Sequence, residues 1–404
     1  MILKETLRQV VITQRKELDL KENNIEREAI KKINLEMPFA IIISGIRRCG
    51  KSTLLKQLMK KIKEFYYFSF DDIRAVNFEV EDFHKLNEIF IEEYGKKDYY
   101  FFDEIQNIPK WELFVRTLLD NKKYVIITGS NASLLSKELG TRLTGRHLRF
   151  ELFPFSFNEF LSLTNKKCSI NSFEEYLNKG GFPEYLRYNK PIILQELLND
   201  ILNRDIAIRH KIRNLKSLKE MALYLLTNVG KEFSYNNLKK IFSLGSTNSA
   251  ISFVSYFEDS YLLFSIPKFD YSLKKQLVNP KKIYVIDNGL INTNSSSFSQ
   301  DKGKLLENLV FINLRKNYKD IFYFQEKGEC DFIIKEGTKI KKAIQVCFYL
   351  NEDNKNREIN GLIEAIEKFN LKEGLILTYN QDDEISISNK KIKIMPVWKW
   401  LNLL

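Results

Sequence analysis

Short apolar runs alternate with helical patterns along the first 152 residues. Runs of four to six apolar residues separated by amphipathic helices are typical of a parallel sheet that is covered by helices on both faces. An α/β fold is therefore predicted, after a helical lead-in over 3–34. The five predicted strands lie in FAIIISG (39–45), FYYFSF (65–70), DYYFFDE (98–104), YVIITGS (124–130) and RHLRFEL (146–152).

The pattern changes after residue 152. Residues 156–215 are mostly helical, with a break at NKGGFPEYLRYNKP (178–191). Three helical patterns and two strand-like runs, YLLFSIPKF and KKIYVID, then occupy residues 216–290, in the order of a winged helix-turn-helix. The helices are predicted at 218–229, 234–242 and 247–259.

A Ser/Asn-rich stretch at 292–304 is typical of a linker. A helix at 304–317 and further strands and a helix follow it, which indicates a separate α/β unit. We therefore predict four parts: an N-terminal α/β domain (1–152), a helical lid region (153–215), a winged helix-turn-helix (216–291) and a C-terminal α/β domain (300–404).

Composition narrows the class of protein. Hydrophobic residues make up 44% of the 404 residues and charged residues 29%, which is typical of a soluble globular protein. No run of about eighteen apolar residues appears, and the charged N-terminus lacks the apolar core of a secretion signal. The chain is expected in the cytoplasm, without a membrane partner. Disulfides and a zinc site are not expected, because the cysteines and histidines are scattered: Cys49, Cys168, Cys330, Cys347, His84, His147 and His210.

The net charge of +12 favours a polyanionic partner, most simply nucleic acid. The alternative is compositional, because the richness in Lys, Ile and Asn is also what AT-rich coding produces.

A phosphate-binding loop follows the first strand. Gly45, Gly50, Lys51 and Ser52 fit the pattern G-x-x-x-x-G-K-[ST] between a predicted strand and a predicted helix. Lys51 is expected to bridge the β- and γ-phosphates of ATP, and Ser52 to bind Mg²⁺. The alternative is an ordinary glycine turn. The backbone of the whole loop is expected to cradle the nucleotide: Gly45, Ile46, Arg47, Arg48, Cys49, Gly50, Lys51, Ser52 and Thr53.

Two carboxylates end the third strand, in YYFFDE. Asp103 is expected to hold Mg²⁺, and Glu104 to orient and polarise the attacking water. Adjacent carboxylates at this place favour hydrolysis over nucleotide binding alone. The alternative is a solvated strand end.

Polar and basic residues follow the fourth strand. Ser130 or Asn131 is expected to sense the γ-phosphate or to position the water, although turns also favour these residue types. An arginine from a neighbouring subunit stabilises the charge that develops during phosphoryl transfer, so a homo-oligomer is expected. Arg146 is the first candidate and Arg142 the second; a surface arginine or a local salt bridge is the alternative for each.

Several segments together resemble those of the AAA-type ATPases of bacteria and archaea that carry a C-terminal domain of unknown function. They are GIRRCGKSTLL, FFDEIQNIPKW, TGSNASLLSKELGTRLTGR, LFPFSFNEF and GGFPEYL. The resemblance covers nearly the whole chain, and its most specific parts are the double arginine of the loop and LTGR. It implies an ASCE-type P-loop domain, a winged-helix middle and a nuclease-like C-terminal domain.

Basic residues of the middle region are candidates for phosphate contact, or else for a solvated face. They are Arg204, Arg209, Lys211, Arg213, Lys216 and Lys219 before the winged unit, and Lys268, Lys274, Lys275, Lys281 and Lys282 in its wing. The third helix of the unit begins with Ser246, Thr247, Asn248 and Ser249 but lacks Arg and Lys. We therefore expect phosphate contact without strong sequence choice, or alternatively a protein-interaction module.

The C-terminal domain has acids in the order of a PD-(D/E)XK nuclease core. Glu307, Asp331 and Gln345 fit this order, but Cys347 stands at the lysine position, where a neutral thiol cannot supply a permanent positive charge. Lys342 is predicted on the face opposite Gln345, and Lys335 is the other candidate substitute. A degenerate nuclease fold used for binding or assembly is predicted; active cleavage and an unrelated α/β domain are the alternatives.

These features predict Mg²⁺-dependent ATP hydrolysis coupled to the binding or remodelling of nucleic acid, with DNA favoured over RNA. The alternatives are an ATP-controlled switch or scaffold that acts through protein contacts, and an ATP-dependent nuclease, which the missing lysine disfavours. Arg47 and Arg48 are expected to reach phosphate, an acid such as Asp71 or Asp72, or another subunit.

Overall fold

A computed structural model describes residues 1–18, 25–130, 145–295, 301–387 and 389–403. The chain forms two units. The first is Met1–Phe153 with Asp259–Tyr261, and the second is Pro154–Glu258 with Leu262–Leu404. The four predicted domains and their boundaries stay a prediction.

The first unit is built on a parallel sheet with the strand order β2-β3-β4-β1-β5. Its strands are β1 (Ala40–Ser44), β2 (Phe65–Ser69), β3 (Tyr99–Asp103), β4 (Tyr124–Gly129) and β5 (His147–Glu151). Its helices are α1 (Lys4–Leu18), α2 (Lys51–Met59), α3 (Asp82–Tyr94) and α4 (Trp111–Asp120), with 3₁₀ turns at Glu28–Lys32, Ile73–Ala75 and Ile105–Asn107. The predicted α/β class and parallel sheet are confirmed.

Burial explains why the apolar runs form central strands. All five residues of β1 are buried, as are the last four of β3. A packed group of aromatic rings, including those of Phe70, Phe83 and Phe102, lies in the core of this unit. Each buried phenylalanine contributes about 1.5–3 kcal/mol relative to exposure.

The strand order determines which side chains meet. In parallel strands the carboxyl ends lie at one edge of the sheet, and β4 separates β1 from β3. At a spacing of about 4.8 Å between neighbouring strands, the ends of β1 and β3 are about 10 Å apart. A side chain at the end of β4 is therefore placed to bridge them.

The second unit begins with helices and a small antiparallel sheet of order β6-β8-β7. The strands are β6 (Glu232–Phe233), β7 (Leu263–Pro267) and β8 (Lys281–Val285). The helices are α5 (Phe157–Thr164), α6 (Ile170–Lys179), α7 (Pro183–Tyr188), α8 (Ile192–Asp200), a π-helix at Ile201–Ile208, α9 (Leu215–Thr227), α10 (Tyr235–Ile241), α11 (Thr247–Asp259), α12 (Leu273–Val278) and α13 (Asn288–Asn294).

A mixed sheet of order β13-β14-β12-β11-β10-β9 completes the second unit. Its strands are β9 (Asp320–Gln325), β10 (Glu329–Glu336), β11 (Lys339–Cys347), β12 (Glu373–Thr378), β13 (Asp383–Ile387) and β14 (Lys390–Pro396). The helices are α14 (Lys302–Arg315), α15 (Glu352–Lys368) and α16 (Val397–Leu403). The residues of β13 are exposed or half-buried, so this strand lacks the buried apolar run from which a strand is predicted.

The GGFP segment is held by a buried polar network. The amide of Gly181 donates to the Asp287 carboxylate at 2.6 Å, and the Phe155 amide donates to the Gly181 carbonyl at 2.8 Å. Asn288 donates to carbonyls of α6 and α14. Backbone groups buried this way need partners, so the network fixes the loop between α6 and α7.

Part of the predicted linker, residues 296–300, lies outside the described residues. Among the helices that the structure describes, none is long and apolar enough to cross a membrane.

Replacing Gly181 with alanine should destabilise the second unit. A Cβ at this position would lie 2.3 Å from the backbone oxygen of Phe155, which cannot move without breaking the paired segment. We expect the free energy of unfolding to fall by about 3 kcal/mol, the upper range for overpacking. Urea denaturation measures it. Gly245→Ala is the matched control, because nothing lies within 4 Å of its added Cβ, and equal losses in both variants would contradict the packing argument.

Candidate functional site

Both glycines of the loop between β1 and α2 are required by the local backbone. A Cβ on Gly45 would lie 2.1 Å from the backbone oxygen of Leu152, and Gly50, at φ +98°, adopts the left-handed conformation directly before Lys51, the first residue of α2. The unpaired amides of a helix N-terminus attract negative charge. Ser52 is exposed and Thr53 half-buried, whereas Ile46 and Cys49 pack inward.

Lys51 is buried beneath this loop. Its ammonium donates to the carbonyls of Gly45 at 3.1 Å and Ile46 at 3.2 Å, and lies 3.5 Å from Oε1 of Glu104. Burial alone would lower the pKa of Lys51, but the Glu104 carboxylate raises it above its ordinary value. A charged lysine is thus present where phosphate is expected.

Thr128, on the neighbouring strand β4, hydrogen-bonds both acids. It lies near the end of β4, and its hydroxyl donates to Oδ1 of Asp103 while accepting the backbone amide of Glu104 at 3.0 Å. The Ser52 hydroxyl also lies near the Asp103 carboxylate. Burial and the neighbouring Glu104 raise the pKa of Asp103, and these two hydroxyls oppose the rise. Thr128 was not among the residues predicted from the sequence.

Glu104 is held in a defined position at the strand end. Its backbone adopts φ +52°, which is uncommon for a residue other than glycine. The side-chain amide of Gln106 donates to Oε2 of Glu104 and to Ser130 Oγ at 3.3 Å. Burial would raise the pKa of Glu104, but Lys51 and the Gln106 hydrogen bond bring it below its ordinary value, so the group is ionised at neutral pH.

Arg27 contacts the phosphate loop from the protein interior. It belongs to no motif, so it was not predicted from the sequence. This buried arginine donates from Nη1 to the carbonyl of Cys49 at 2.6 Å and from Nη2 to that of Phe153 at 2.8 Å. A guanidinium can hold two carbonyls at once because its donors form a rigid fork. It therefore ties the loop to the segment that follows β5.

The two arginines inside the loop differ in exposure. Arg47 is half-buried and its charge contributes to the lowered pKa of Glu104, whereas Arg48 is exposed and adopts φ +62°. Asp72 pairs with Arg74 at 2.7 Å, so the ion pair seen for this acid is a local one.

Arg146 lies far from its own phosphate loop. Its carbonyl accepts the amide of Ala40, the first residue of β1, while the loop follows the other end of that strand. The rise along β1 separates these ends by about 15 Å. Its guanidinium pairs with Asp120 at 2.7 Å on the surface. The candidates Asn131 and Arg142 lie outside the described residues.

The candidate basic surface is partly exposed. Arg204, Lys211, Arg213, Lys216, Lys274 and Lys275 are exposed, whereas Arg209, Lys219, Lys268 and Lys281 are half-buried. Lys282 differs from the expectation for a wing residue, because it is only 2% exposed. The period of two along β8 turns it inward, so the prediction that Lys282 contacts phosphate is wrong.

Lys282 lies among the acids of the C-terminal cluster. Its ammonium is 3.0 Å from Oδ1 of Asp331, 3.5 Å from Oε1 of Glu307 and 2.5 Å from Oε1 of Glu329. Burial would lower the pKa of Lys282, but the carboxylates, Asp331 first, raise it well above its usual range. The positive charge that Cys347 cannot supply thus comes from a strand of the three-stranded sheet; neither Lys335 nor Lys342 provides it.

The acids of this cluster already accept hydrogen bonds from neighbouring side chains and a backbone amide. Glu307 accepts from Tyr284 at 2.7 Å and Lys304 at 2.9 Å, and Asp331 accepts from Lys282 and from the Val346 amide at 2.9 Å. Within the described ranges, no group of three or more His, Cys, Asp or Glu side chains is arranged to hold a metal ion.

Gln345 and Cys347 lie beside the cluster without completing a nuclease centre. The Gln345 amide oxygen accepts the backbone amide of Asp331 at 3.1 Å, and its nitrogen donates to Glu358 at 2.6 Å. Burial raises the pKa of the Cys347 thiol to about 11, so it stays neutral. Lys342 is exposed and donates to Tyr318, away from Gln345.

Two family models match the chain. One, described as an AAA domain, matches residues 38–161, which include the loop and the acidic pair. The other, a domain of unknown function (DUF8612), matches residues 170–301.

Related proteins match over nearly the whole length. The uncharacterized protein MJ1544 of Methanocaldococcus jannaschii is 37% identical and covers 99% of this chain and 96% of its own. An uncharacterized protein of Haemophilus influenzae is 31% identical over 90% of this chain and 94% of its own. Among solved structures, a Walker-type ATPase of Pyrococcus abyssi matches with 15% identity and a TM-score of 0.41, covering 68% of this chain and 99% of its own.

Replacing Lys282 with methionine should unfold the second unit more easily. The substitution leaves Asp331 and Glu307 buried without the ammonium between them, and breaking a buried ion pair costs about 3–5 kcal/mol. Urea denaturation of both variants provides the measurement. Lys281→Met is the control, because Lys281 is half-buried and its ammonium contacts the hydroxyl and ring of Tyr235 and none of the buried acids. If the two variants lose similar stability, Lys282 does not hold the cluster together.

Proposed function

Because the chain belongs to the family of AAA-type P-loop ATPases that carry a domain of unknown function, we propose that it hydrolyses ATP, with Glu104 as the general base. The supporting observation is the position of Glu104. It is ionised, oriented by Gln106, and 3.5 Å from the Lys51 ammonium under the phosphate loop. A nucleotide-binding protein without hydrolysis does not need a carboxylate fixed at this place.

Phosphate recognition follows from the loop. Backbone amides between Gly45 and Thr53, together with the N-terminus of α2, donate to the β-phosphate oxygens. Lys51 exchanges its contacts with Gly45 and Ile46 for the β- and γ-phosphates. Because Arg27 fixes the loop through Cys49, little ordering remains to be done when ATP binds.

Ser52 and Asp103 fit a Mg²⁺ ion. A hydroxyl on an exposed residue and a neighbouring carboxylate would supply the hard oxygen ligands that this ion prefers. When bound, Mg²⁺ neutralises charge on the β- and γ-phosphate oxygens. Thr128 keeps the Asp103 carboxylate in place through its hydrogen bond.

Glu104 acts on the attacking water. The carboxylate accepts a proton as the water oxygen bonds to the γ-phosphorus, and the bond from that phosphorus to the β–γ bridging oxygen breaks. The electron pair remains on ADP, and the proton leaves Glu104 with the inorganic phosphate. Lys51 stabilises negative charge on both products.

The arginine that completes the site comes from a neighbouring copy of the chain. Arg146 lies about 15 Å from its own loop along β1, too far to reach the γ-phosphate there. On the surface it is available to a second subunit, at the expense of its ion pair with Asp120. A homo-oligomer is therefore part of the proposal.

Nucleic acid is the proposed partner that hydrolysis serves. The support is the net charge of +12 and the exposed arginines and lysines between 204 and 216. Contacts to phosphate without sequence choice are expected, with DNA as the first substrate to test. Cleavage is not proposed, because Lys282 and hydrogen bonds occupy the acids of the nuclease-like cluster.

Glu104→Gln should abolish turnover while retaining ATP binding. The amide keeps the shape of the side chain but cannot take a proton from water, and loss of a general base costs about 10²–10⁴-fold in rate. Steady-state phosphate release, with and without single- and double-stranded DNA, measures the rate, and fluorescent-nucleotide titration measures affinity.

Glu112→Gln is the matched control, because this buried glutamate lies in α4 of the same unit, beyond the acidic strand end. Wild-type turnover in Glu104→Gln would exclude the proposed base. Hydrolysis that DNA does not stimulate would favour the ATP-controlled switch.

Arg146→Ala should lower turnover about 10³-fold, as loss of an arginine finger does, with ATP affinity nearly unchanged. Arg116→Ala is the control, because Arg116 also approaches Asp120, at 3.9 Å. Mixing Arg146→Ala with Lys51→Ala should restore activity, since one subunit supplies the intact site and the other the arginine. No restoration in mixed oligomers, or lost nucleotide binding in Arg146→Ala alone, would contradict action between subunits.

A further inference from the structure

The chain returns to the first unit for three residues, Asp259–Tyr261, more than a hundred residues after β5 ends. Tyr261 is buried there. Its hydroxyl donates to Ser44 Oγ at 2.7 Å and accepts from Nη2 of Arg149 at 3.4 Å. Nothing in the sequence links it to the nucleotide site, because Tyr261 and Ser44 are 217 residues apart.

Ser44 is the last residue of β1, directly before the phosphate loop. It is fully buried, and its carbonyl accepts the Leu152 amide at 2.6 Å. Backbone and side chain of Ser44 are thus both fixed at the point where the loop begins. A change in either contact alters the path of the chain into Gly45.

The left-handed backbone conformation of Tyr261 indicates that tyrosine is retained here for the contacts of its side chain. The residue lies just after α11, which ends at Asp259, and has φ +61°. Glycine or asparagine usually takes this left-handed position at a helix end, and other residues adopt it at a cost of about 1 kcal/mol or more. Burial raises the pKa of Tyr261, so the hydroxyl remains a donor at neutral pH. The contacts of that hydroxyl offset the backbone strain.

Every place where the chain passes out of the first unit is hydrogen-bonded to the loop or to the strand before it. At the 153/154 crossing, Leu152 donates to Ser44 and the Phe153 carbonyl accepts from Arg27, which also holds Cys49. At the return, Tyr261 donates to Ser44. The loop and the crossings therefore share one set of buried hydrogen bonds.

We propose that Tyr261 is a positioning residue for the phosphate loop, through which the segment around Tyr261 responds to bound nucleotide. This inference rests on the proposed ATPase function. When phosphate oxygens engage the loop amides, the start of the loop is drawn into one conformation. Ser44 transmits that constraint to Tyr261, because the two side chains share a buried hydrogen bond of 2.7 Å. When Ser44 moves, Tyr261 must move with it or the bond is lost at a cost in free energy.

Tyr261→Phe tests the proposal, because it retains the ring and removes only the hydroxyl. Looser anchoring of the loop should weaken binding of both ATP and ADP by about 3- to 10-fold, the usual effect of one hydrogen bond. KM for ATP should rise by a similar factor while kcat changes less than twofold, because Glu104 and Lys51 remain in place.

Hydrogen exchange provides the second readout. In the wild type, nucleotide should slow exchange of the amides in 257–263, whose pairs include Leu262 to the Phe257 carbonyl. In Tyr261→Phe this nucleotide-dependent slowing should disappear. If Tyr261 only packed in the core, removal of its hydroxyl would leave this nucleotide-dependent slowing unchanged.

Two further variants keep the test independent of stability. Tyr66→Phe is the control, since its buried hydroxyl bonds to Gly95 and Lys97, away from the loop in the same unit. Ser44→Ala removes the same contact from its other side, so Ser44→Ala and the double variant should match Tyr261→Phe instead of adding to it.

The outcomes are distinguishable. Absence of ATP binding by the wild type would reject the proposed function itself. If the wild type binds ATP but Tyr261→Phe keeps wild-type affinity and exchange, the positioning role is wrong. An equal loss of affinity in Tyr66→Phe, or additive losses in the double variant, would also overturn it.

Discussion

The buried ammonium of Lys51 determines the arrangement around the phosphate loop. A buried charge is stable only where opposite charge and hydrogen bonds replace the lost water. Glu104 and the carbonyls of Gly45 and Ile46 do this for Lys51. Glu104 in turn is held by Thr128 and Gln106. The Lys51 ammonium and the Glu104 carboxylate are therefore positioned by the same constraint.

The loop itself has to be held without covering its amides. Arg27 and Tyr261 hold the loop through buried hydrogen bonds to Cys49 and Ser44. Both contacts come from residues distant in sequence from the loop. A cradle anchored in this way is preorganised for an anion, and its conformation is coupled to the segments that carry the anchors.

The features that could be predicted from the sequence are those formed by residues adjacent in the chain. The loop and the Asp103–Glu104 pair are contiguous, and apolar runs with helical patterns between them indicate a parallel sheet. Thr128 could have been found from the strand order, because β4 lies between β1 and β3. Arg27, Tyr261 and Lys282 could not, since a single buried arginine, tyrosine or lysine carries no local pattern. The prediction for Lys282 was wrong because alternation along β8 shows which residues share a face of the strand. It does not show that this face packs against the acids of the C-terminal sheet.

The same requirement, that a buried charge has a partner, leads to a different result in the second unit. At the loop, Ser52 is exposed and Lys51 donates to two backbone carbonyls, which are neutral acceptors. Around Asp331 and Glu307 the donors are buried side chains and a strand amide, and exchanging them would leave charges unpaired. The acidic cluster, although arranged like a nuclease centre, therefore holds β8, β10 and α14 together through ion pairs and hydrogen bonds. Any role of this unit with nucleic acid must then come from binding at its surface, where the exposed arginines and lysines are.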